Sequence, residues 1–209
     1  MEYPKINSIF KRDQKGNYII DEFSQEEFSY LYEYPWEWDE KLDGTNIRCI
    51  WDGKDLEFKG RTDKAQIPPV LLNNMKQQIT EDMLFDQFGD TPVCIYGEGI
   101  GEKIQKGGGK YGSPHICIFD ILINDIWLKK YDVNNIAYDM GIPSSMGIID
   151  CKDMTLKDMF NNMYMGKLDH VKSHYGDFRP EGFVGIPKGN FLNRMGKRIM
   201  TKIKFKDFG

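Results

Sequence analysis

An α+β fold is what this sequence predicts, and three observations carry the prediction. Strand-like runs recur along the whole chain, only three stretches have helical spacing, and the two kinds never settle into a βαβ rhythm. The chain has 209 residues, enough for a core that needs no covalent staples, and 40% of them are hydrophobic. Neither an internal repeat nor a dividing linker is visible, so residues 1–209 are expected to form a single domain.

The first stretch, residues 28–38, sets Phe28, Tyr30, Tyr32, Tyr34, Trp36 and Trp38 on every second position. That alternation predicts an extended segment with one aromatic face, interrupted at Pro35; it suits a half-buried edge strand, or a surface that stacks bases. Asn46–Trp51 and Leu56–Lys59 read as strands flanking Asp52-Gly53, a hairpin signal. Pro68–Phe88 has helical spacing, with Gly89 as its stop. A short strand, Val93–Tyr96, then leads into Gly97-Glu98-Gly99. Gly101–Gly112 holds Lys103, Lys106 and Lys110 among glycines and predicts a mobile basic loop, either a plain linker or a transient phosphate contact. His115–Ile123 is a further strand, turned by Asn124-Asp125 toward Ile126–Lys130. Asp132–Met140 and Thr155–Met165 read as helices closed by Gly141 and Gly166. Pro180–Ile186 is a turn into a strand, and Met200–Phe205 alternates Lys202 and Lys204 against Thr201, Ile203 and Phe205.

Charge and cysteine usage narrow the class. Cys49, Cys94, Cys117 and Cys151 form no CxxC pair, which argues against a zinc knuckle and a secreted disulfide framework. Met1–Phe10 lacks the apolar core of a signal peptide, and no run reaches membrane-spanning length. The expectation is a reduced, intracellular, cytoplasmic protein with no membrane partner. Net charge is −4, yet Lys188, Arg194, Lys197, Arg198, Lys202, Lys204 and Lys206 crowd one end with no acid among them. Either a solvated strand face with a basic tail or a local polyanion site accounts for this.

Chemistry gathers around Glu40-Lys41-Leu42-Asp43-Gly44-Thr45-Asn46. A lysine amine is a nucleophile only when neutral, so it needs burial or nearby cations to act at pH 7. Three carboxylates, Asp43, Glu98 and Glu181, each stand beside a glycine, where backbone can approach a ligand closely. Magnesium takes one or two such carboxylates and completes its shell with substrate phosphate. Lys202 and Lys204 on one strand face suit a phosphate as point charges. These are parts for phosphoryl or nucleotidyl transfer, and neither a GxxxxGK[ST] loop nor a GxGxxG turn is present where strand meets helix. His170 and His174 lack a third ligand and read as structural or surface residues.

The ordered motifs resemble those of the covalent nucleotidyltransferases, the superfamily of polynucleotide ligases and mRNA capping guanylyltransferases. Lys41-Leu42-Asp43-Gly44-Thr45-Asn46 is similar to the nucleophile motif, and Gly60-Arg61 to the arginine motif that follows it. Tyr96-Gly97-Glu98, Phe119-Asp120-Ile121, Glu181-Gly182-Phe183-Val184 and Lys202-Ile203-Lys204 resemble the remaining four in order. Asn46, where DNA ligases and capping enzymes usually have arginine, favours the RNA ligase 2-like group that includes RNA-editing ligases.

The resemblance implies an ATP-grasp-like nucleotidyltransferase domain, two antiparallel sheets flanked by helices with the nucleotide in the cleft between them. It further implies an ATP-dependent RNA ligase that uses Mg²⁺ or Mn²⁺ and acts on RNA 5′-phosphate and 3′-hydroxyl ends. Lys41 would form lysyl-AMP, Glu181 hold the metal, and Lys202 and Lys204 contact the α-phosphate. Phe119, otherwise an ordinary core residue, would stack on adenine. Glu98 would contact the ribose, Glu40 and Leu42 lie at the nucleotide, and Asn46 and Arg61 meet the ribose or RNA end. Asp43, Gly44 and Asp120 complete the motifs, Asp120 serving at least to orient a neighbour. A GTP-dependent capping-type enzyme and a catalytically idle RNA-binding relative are the rival readings, and a viral or phage source is compatible with all three. Only five residues follow Lys204, so the accessory domain that relatives carry after the last motif is expected to be absent.

Overall fold

The computed structural model describes residues 1–189 and 191–208. In chain order the strands are β1 (Asn7–Ser8), β2 (Phe10–Arg12), β3 (Tyr18–Phe23), β4 (Trp36–Lys41), β5 (Thr45–Trp51), β6 (Leu56–Gly60), β7 (Val93–Ile100), β8 (His115–Ile123), β9 (Ile126–Trp127), β10 (Gly182–Pro187) and β11 (Thr201–Lys204). The helices are α1 (Glu26–Tyr30), α2 (Pro69–Gln78), α3 (Glu81–Phe88), α4 (Lys130–Asp139) and α5 (Leu156–Tyr164). The class is α+β, as expected. No helix among the described residues is long and apolar enough to cross a membrane.

Two compact units divide the chain. The first takes residues 1–3 and 43–145, the second residues 4–42 and 146–209. The first unit is built on a five-stranded antiparallel sheet in the order β6-β5-β7-β8-β9. Alternation along β5 sends Ile47, Cys49 and Trp51 to the face covered by α2, α3 and α4, where Leu71, Met75, Leu84, Val133 and Ala137 close the core. Each such large side chain contributes about 1.5–3 kcal/mol by leaving water. The opposite face carries Asn46, Arg48, Tyr96, Glu98 and Phe119.

The second unit has a four-stranded sheet ordered β1-β11-β10-β4, antiparallel except for the parallel β1–β11 pair, and a small β2–β3 hairpin. Among the described residues the two expected sheets are thus accompanied by one small hairpin. Trp36 and Trp38 stack at 6.0 Å and bury with Phe183, Ile203 and one face of α5. On α5, Leu156, Met159, Phe160 and Met163 recur at helical spacing, and Thr155 closes a reciprocal capping box with Asp158.

Local chemistry corrects several expectations. The aromatic alternation is extended only from Trp36; Glu26–Tyr30 is a helix that buries Phe28 and exposes Tyr30. The long helical stretch is two helices, because Ile79 takes an extended backbone (φ −125, ψ 112) and the Thr80 hydroxyl accepts from the Met83 N–H to start α3. The glycine-rich stretch has local structure of its own. Glu102 N–H bonds the Gly112 carbonyl, Gly108–Tyr111 forms a 3₁₀ turn, and Tyr111 is buried. A Cβ on Gly108 would stand 2.0 Å from the Gly101 carbonyl oxygen, so the packing requires glycine there. Asn124 and Asp125 both adopt positive φ (49 and 63), the two-residue turn that joins β8 to β9.

Candidate active site

In the second unit, β4, β10 and β11 lie side by side, and the register aligns Lys41 with Gly182 and Gly182 with Lys204. Lys41 and Lys204 thus flank a residue with no side chain. Gly182 is required by contact: a Cβ there would meet the Ile203 carbonyl oxygen at 2.1 Å and Lys204 Cα at 2.7 Å. Glu181, at the entry to β10, reaches into the space between the lysines. Lys41 Nζ donates to Glu181 Oε2 at 2.5 Å and Lys204 Nζ to Oε1 at 2.5 Å. The three side chains are 21%, 16% and 20% exposed, so the cluster is shielded but reachable.

The electrostatics follow from that geometry. Burial opposes ionisation of Glu181. The charge of Lys41 and the hydrogen bonds from Lys204 and Lys41 outweigh it, and the carboxyl titrates below its ordinary range. Lys202 stands one row further along the same face, in register with Val184, which pairs in turn with Asp39. Lys41, Lys202 and Lys204 share this face with Glu181, Asp39 and Glu37, so the charges balance over the face as a whole while two of the lysines gather at its Gly182 end, an arrangement that suits a phosphate ester.

Strand alternation separates Glu40 from its neighbour Lys41. Glu40 is buried on the core side of the sheet, where Oε1 accepts from the Ser173 hydroxyl at 2.6 Å and Oε2 from the His174 N–H at 2.9 Å. Its carboxylate is committed to the loop that starts at Ser173. Leu42 is buried beside it in the chain. His170 is exposed, 3.8 Å from Asp150.

The other predicted residues belong to the first unit. Asp43 donates its N–H to the Tyr111 hydroxyl at 3.1 Å, and the Gly44 carbonyl accepts from Gln105 Nε2 at 3.0 Å. Gly44 itself lies against β7, where a Cβ would be 2.3 Å from the Gly99 carbonyl oxygen. Asn46, Glu98 and Cys117 form one row across β5, β7 and β8. The Asn46 side-chain oxygen is buried and has no hydrogen-bond partner among the described residues, an acceptor that is costly to leave without one. A bulge opposite Tyr96 and Gly97 inserts Phe119 as an extra residue. Phe119 is half-buried, edge-on to Tyr3 at 5.0 Å, and Tyr3 donates to Asp120 at 2.7 Å. Arg61 is exposed in the turn after β6.

Sequence reasoning missed Arg48, Tyr111 and Ser173. Arg48 is buried, donates to the Gly60 carbonyl at 2.8 Å and pairs with Asp63 at 2.8 Å. A lone arginine between Ile47 and Cys49 in a strand was its only signal. Tyr111 and Ser173 carried none, because their partners lie 68 and 133 residues away.

No cluster of three or more metal-ligating side chains occurs among the described residues. Glu181, beside Lys41 and Lys204, fits an ion such as magnesium that takes one carboxylate and completes its shell from nucleotide phosphate and water.

The family model described as RNA ligase matches residues 34–204. No curated protein matches the sequence. Among solved structures, an archaeal ATP-dependent RNA ligase aligns with 99% of this chain and 49% of its own at 13% identity and a TM-score of 0.60. A mutant RNA ligase from Naegleria gruberi with ATP and Mn aligns over 98% and 64% at 14% identity and a TM-score of 0.62. A provisionally named ATP-dependent DNA ligase from Aquifex aeolicus aligns over 98% and 50% at 16% identity and a TM-score of 0.60. The chain thus spans about half to two thirds of these structures' length, and at such identities the likeness is one of fold.

Proposed function

The chain belongs to the RNA ligase family, and from that premise we propose that it is the nucleotidyltransferase part of an ATP-dependent RNA ligase. The observation that carries the reading is the Lys41–Glu181–Lys204 cluster across three adjacent strands. Lys41 Nζ attacks the α-phosphorus of ATP. A nitrogen–phosphorus bond forms, the bond to the bridging oxygen breaks, pyrophosphate leaves with its electron pair, and Nζ gives up a proton. Lys204 and Lys202 hold the α-phosphate and offset the charge that develops on it. An RNA 5′-phosphate oxygen then attacks the AMP phosphorus and the nitrogen–phosphorus bond breaks, freeing Lys41; a 3′-hydroxyl attacks the RNA 5′-phosphorus, gives up its proton, and AMP leaves.

Glu181 is the residue that would hold a divalent ion, Mg²⁺ or Mn²⁺. Bound there, the ion supplies further positive charge to the phosphates. The contact assigned to Glu40 falls to its main-chain carbonyl, since its carboxylate serves the loop at Ser173 and its N–H bonds the Met146 carbonyl. Asn46 offers its unpartnered oxygen to a hydroxyl of ribose or of the RNA end. Glu98 contacts the ribose, Phe119 stacks on adenine, Arg61 meets the RNA end, and Leu42, Asp43, Gly44 and Asp120 shape the backbone around them. A reducing cytoplasmic setting belongs to the same proposal.

Intact mass after incubation with Mg²⁺ and ATP, and with GTP in parallel, tests it. One AMP added from ATP alone, and none in Lys41→Ala, is the expected result. Labelling retained in Lys41→Ala would remove the nucleophile, and preference for GTP would favour capping chemistry.

A further inference from the structure

Between β10 and β11, residues 191–200 leave the sheet and carry side chains that the reaction at Lys41 does not use. They form a hairpin. Leu192 and Arg198 make an antiparallel bridge, and the Asn193 N–H bonds the Lys197 carbonyl at 2.8 Å. The Asn193 side-chain oxygen accepts from the N–H groups of Met195 and Lys197, each at 3.0 Å. Gly196 closes the turn at φ 71. Everything this scaffold presents is exposed: Arg194, Met195 and Lys197 at the tip, Phe191 and Leu192 on the flank. The Phe191 ring is already set against Tyr34, with centroids 5.4 Å apart.

The exposed Phe191 ring and the Leu192 side chain stand beside two cations on one turn, a mixed apolar and basic patch. Their complement is a chain of negative charges that also bears flat apolar faces, which is single-stranded nucleic acid. An acidic protein would answer the charges, but it offers no repeating plane for Phe191. Position agrees with this. The last β10–β11 pair, Gly185 with Thr201, is three residues along the strands from the Gly182–Lys204 row, so the hairpin springs from a point roughly 10 Å from the lysine cluster.

We propose that this hairpin is an RNA-gripping element: Arg194 and Lys197 sit on backbone phosphates and Phe191 stacks under a base, a few nucleotides from the end processed at Lys41. It rests on the RNA ligase reading. Arg194 and Lys197 are exposed, so their replacement leaves the fold intact.

The test measures binding of a 5′-phosphorylated RNA of about 12 nucleotides, long enough at 3.4 Å per nucleotide to reach the hairpin, against a dinucleotide that is not. For Arg194→Ala/Lys197→Ala we expect weaker binding of the longer RNA and a slope of log affinity against log salt shallower by about 1.4. Phe191→Ala should weaken it about 5-fold or more. Dinucleotide binding and Lys41 adenylylation without RNA should be unchanged in both variants. Equal affinity and salt slope for the longer RNA would overturn the proposal, as would an equal loss on both RNAs. So would light scattering that shows the same variants abolishing self-association with RNA affinity intact, which would give the hairpin to a second copy. Failure of adenylylation in the unmodified protein would instead strike the ligase reading.

Discussion

At the scale of single residues, Glu181 decides most. It bonds two lysines at once, so Glu181→Gln leaves two ammonium groups sharing an amide. We expect a stability loss of about 1–3 kcal/mol at pH 7, and adenylylation slower by on the order of 10²-fold. The pH dependence has a definite sign. The folded-state pKa of Glu181 lies below the ordinary 4.5, so its stabilisation is complete above that value and disappears as pH falls through the folded pKa. Urea unfolding followed from pH 7 downward should show a loss below about pH 4.5 that Glu181→Gln reduces. An identical acid limb in both proteins would mean that the bridge to Lys41 and Lys204 adds nothing. Lys204→Ala removes one of the two bonds and should slow the first step while leaving nucleotide binding measurable.

At the scale of elements, what matters is how closely strands approach. Gly182→Ala places a methyl group 2.1 Å from the Ile203 carbonyl oxygen, so β10 and β11 must part. The expected cost is about 2 kcal/mol or more, with loss of adenylylation, because Glu181 and Lys204 are carried by those two strands. Thr155→Ala is the contrasting case. It deletes the cap of α5, far along the chain from any reacting group, and should cost about 1 kcal/mol, read as a drop in Tm of about 3 °C, with adenylylation unchanged. Loss of activity there would show that α5 does more than cover Trp36 and Trp38.

At the scale of the whole molecule, two hydrophobic cores are built from an interleaved chain: residues 1–3 belong with 43–145, and 4–42 with 146–209. Net charge is −4, so the RNA binding proposed above would rest on local basic elements and should fall steeply with salt. Removing divalent ions with EDTA should abolish lysyl-AMP formation, and either Mg²⁺ or Mn²⁺ should restore it. Adenylylation that persists in EDTA would show that the lysines suffice.

Much of this was written in the chain itself. Strand-like runs mark β5, β7, β8 and β10, capping residues bound α5, and the motif order from Lys41 to Lys204 identified the family, because local propensity and reactive residue types are properties of short segments. Thr80 followed by Glu81-Asp82 also marked the break between α2 and α3, although the longer helical period concealed it. Pairing between distant segments is a different matter. That Glu40 turns away from Lys41 to serve Ser173, that Tyr111 holds Asp43, and that Arg48 is buried against Asp63 depend on contacts across 133, 68 and 15 residues. No local pattern encodes such partners. Only the tertiary structure decided them, because a buried polar group takes whichever partner the packed chain brings within hydrogen-bond reach.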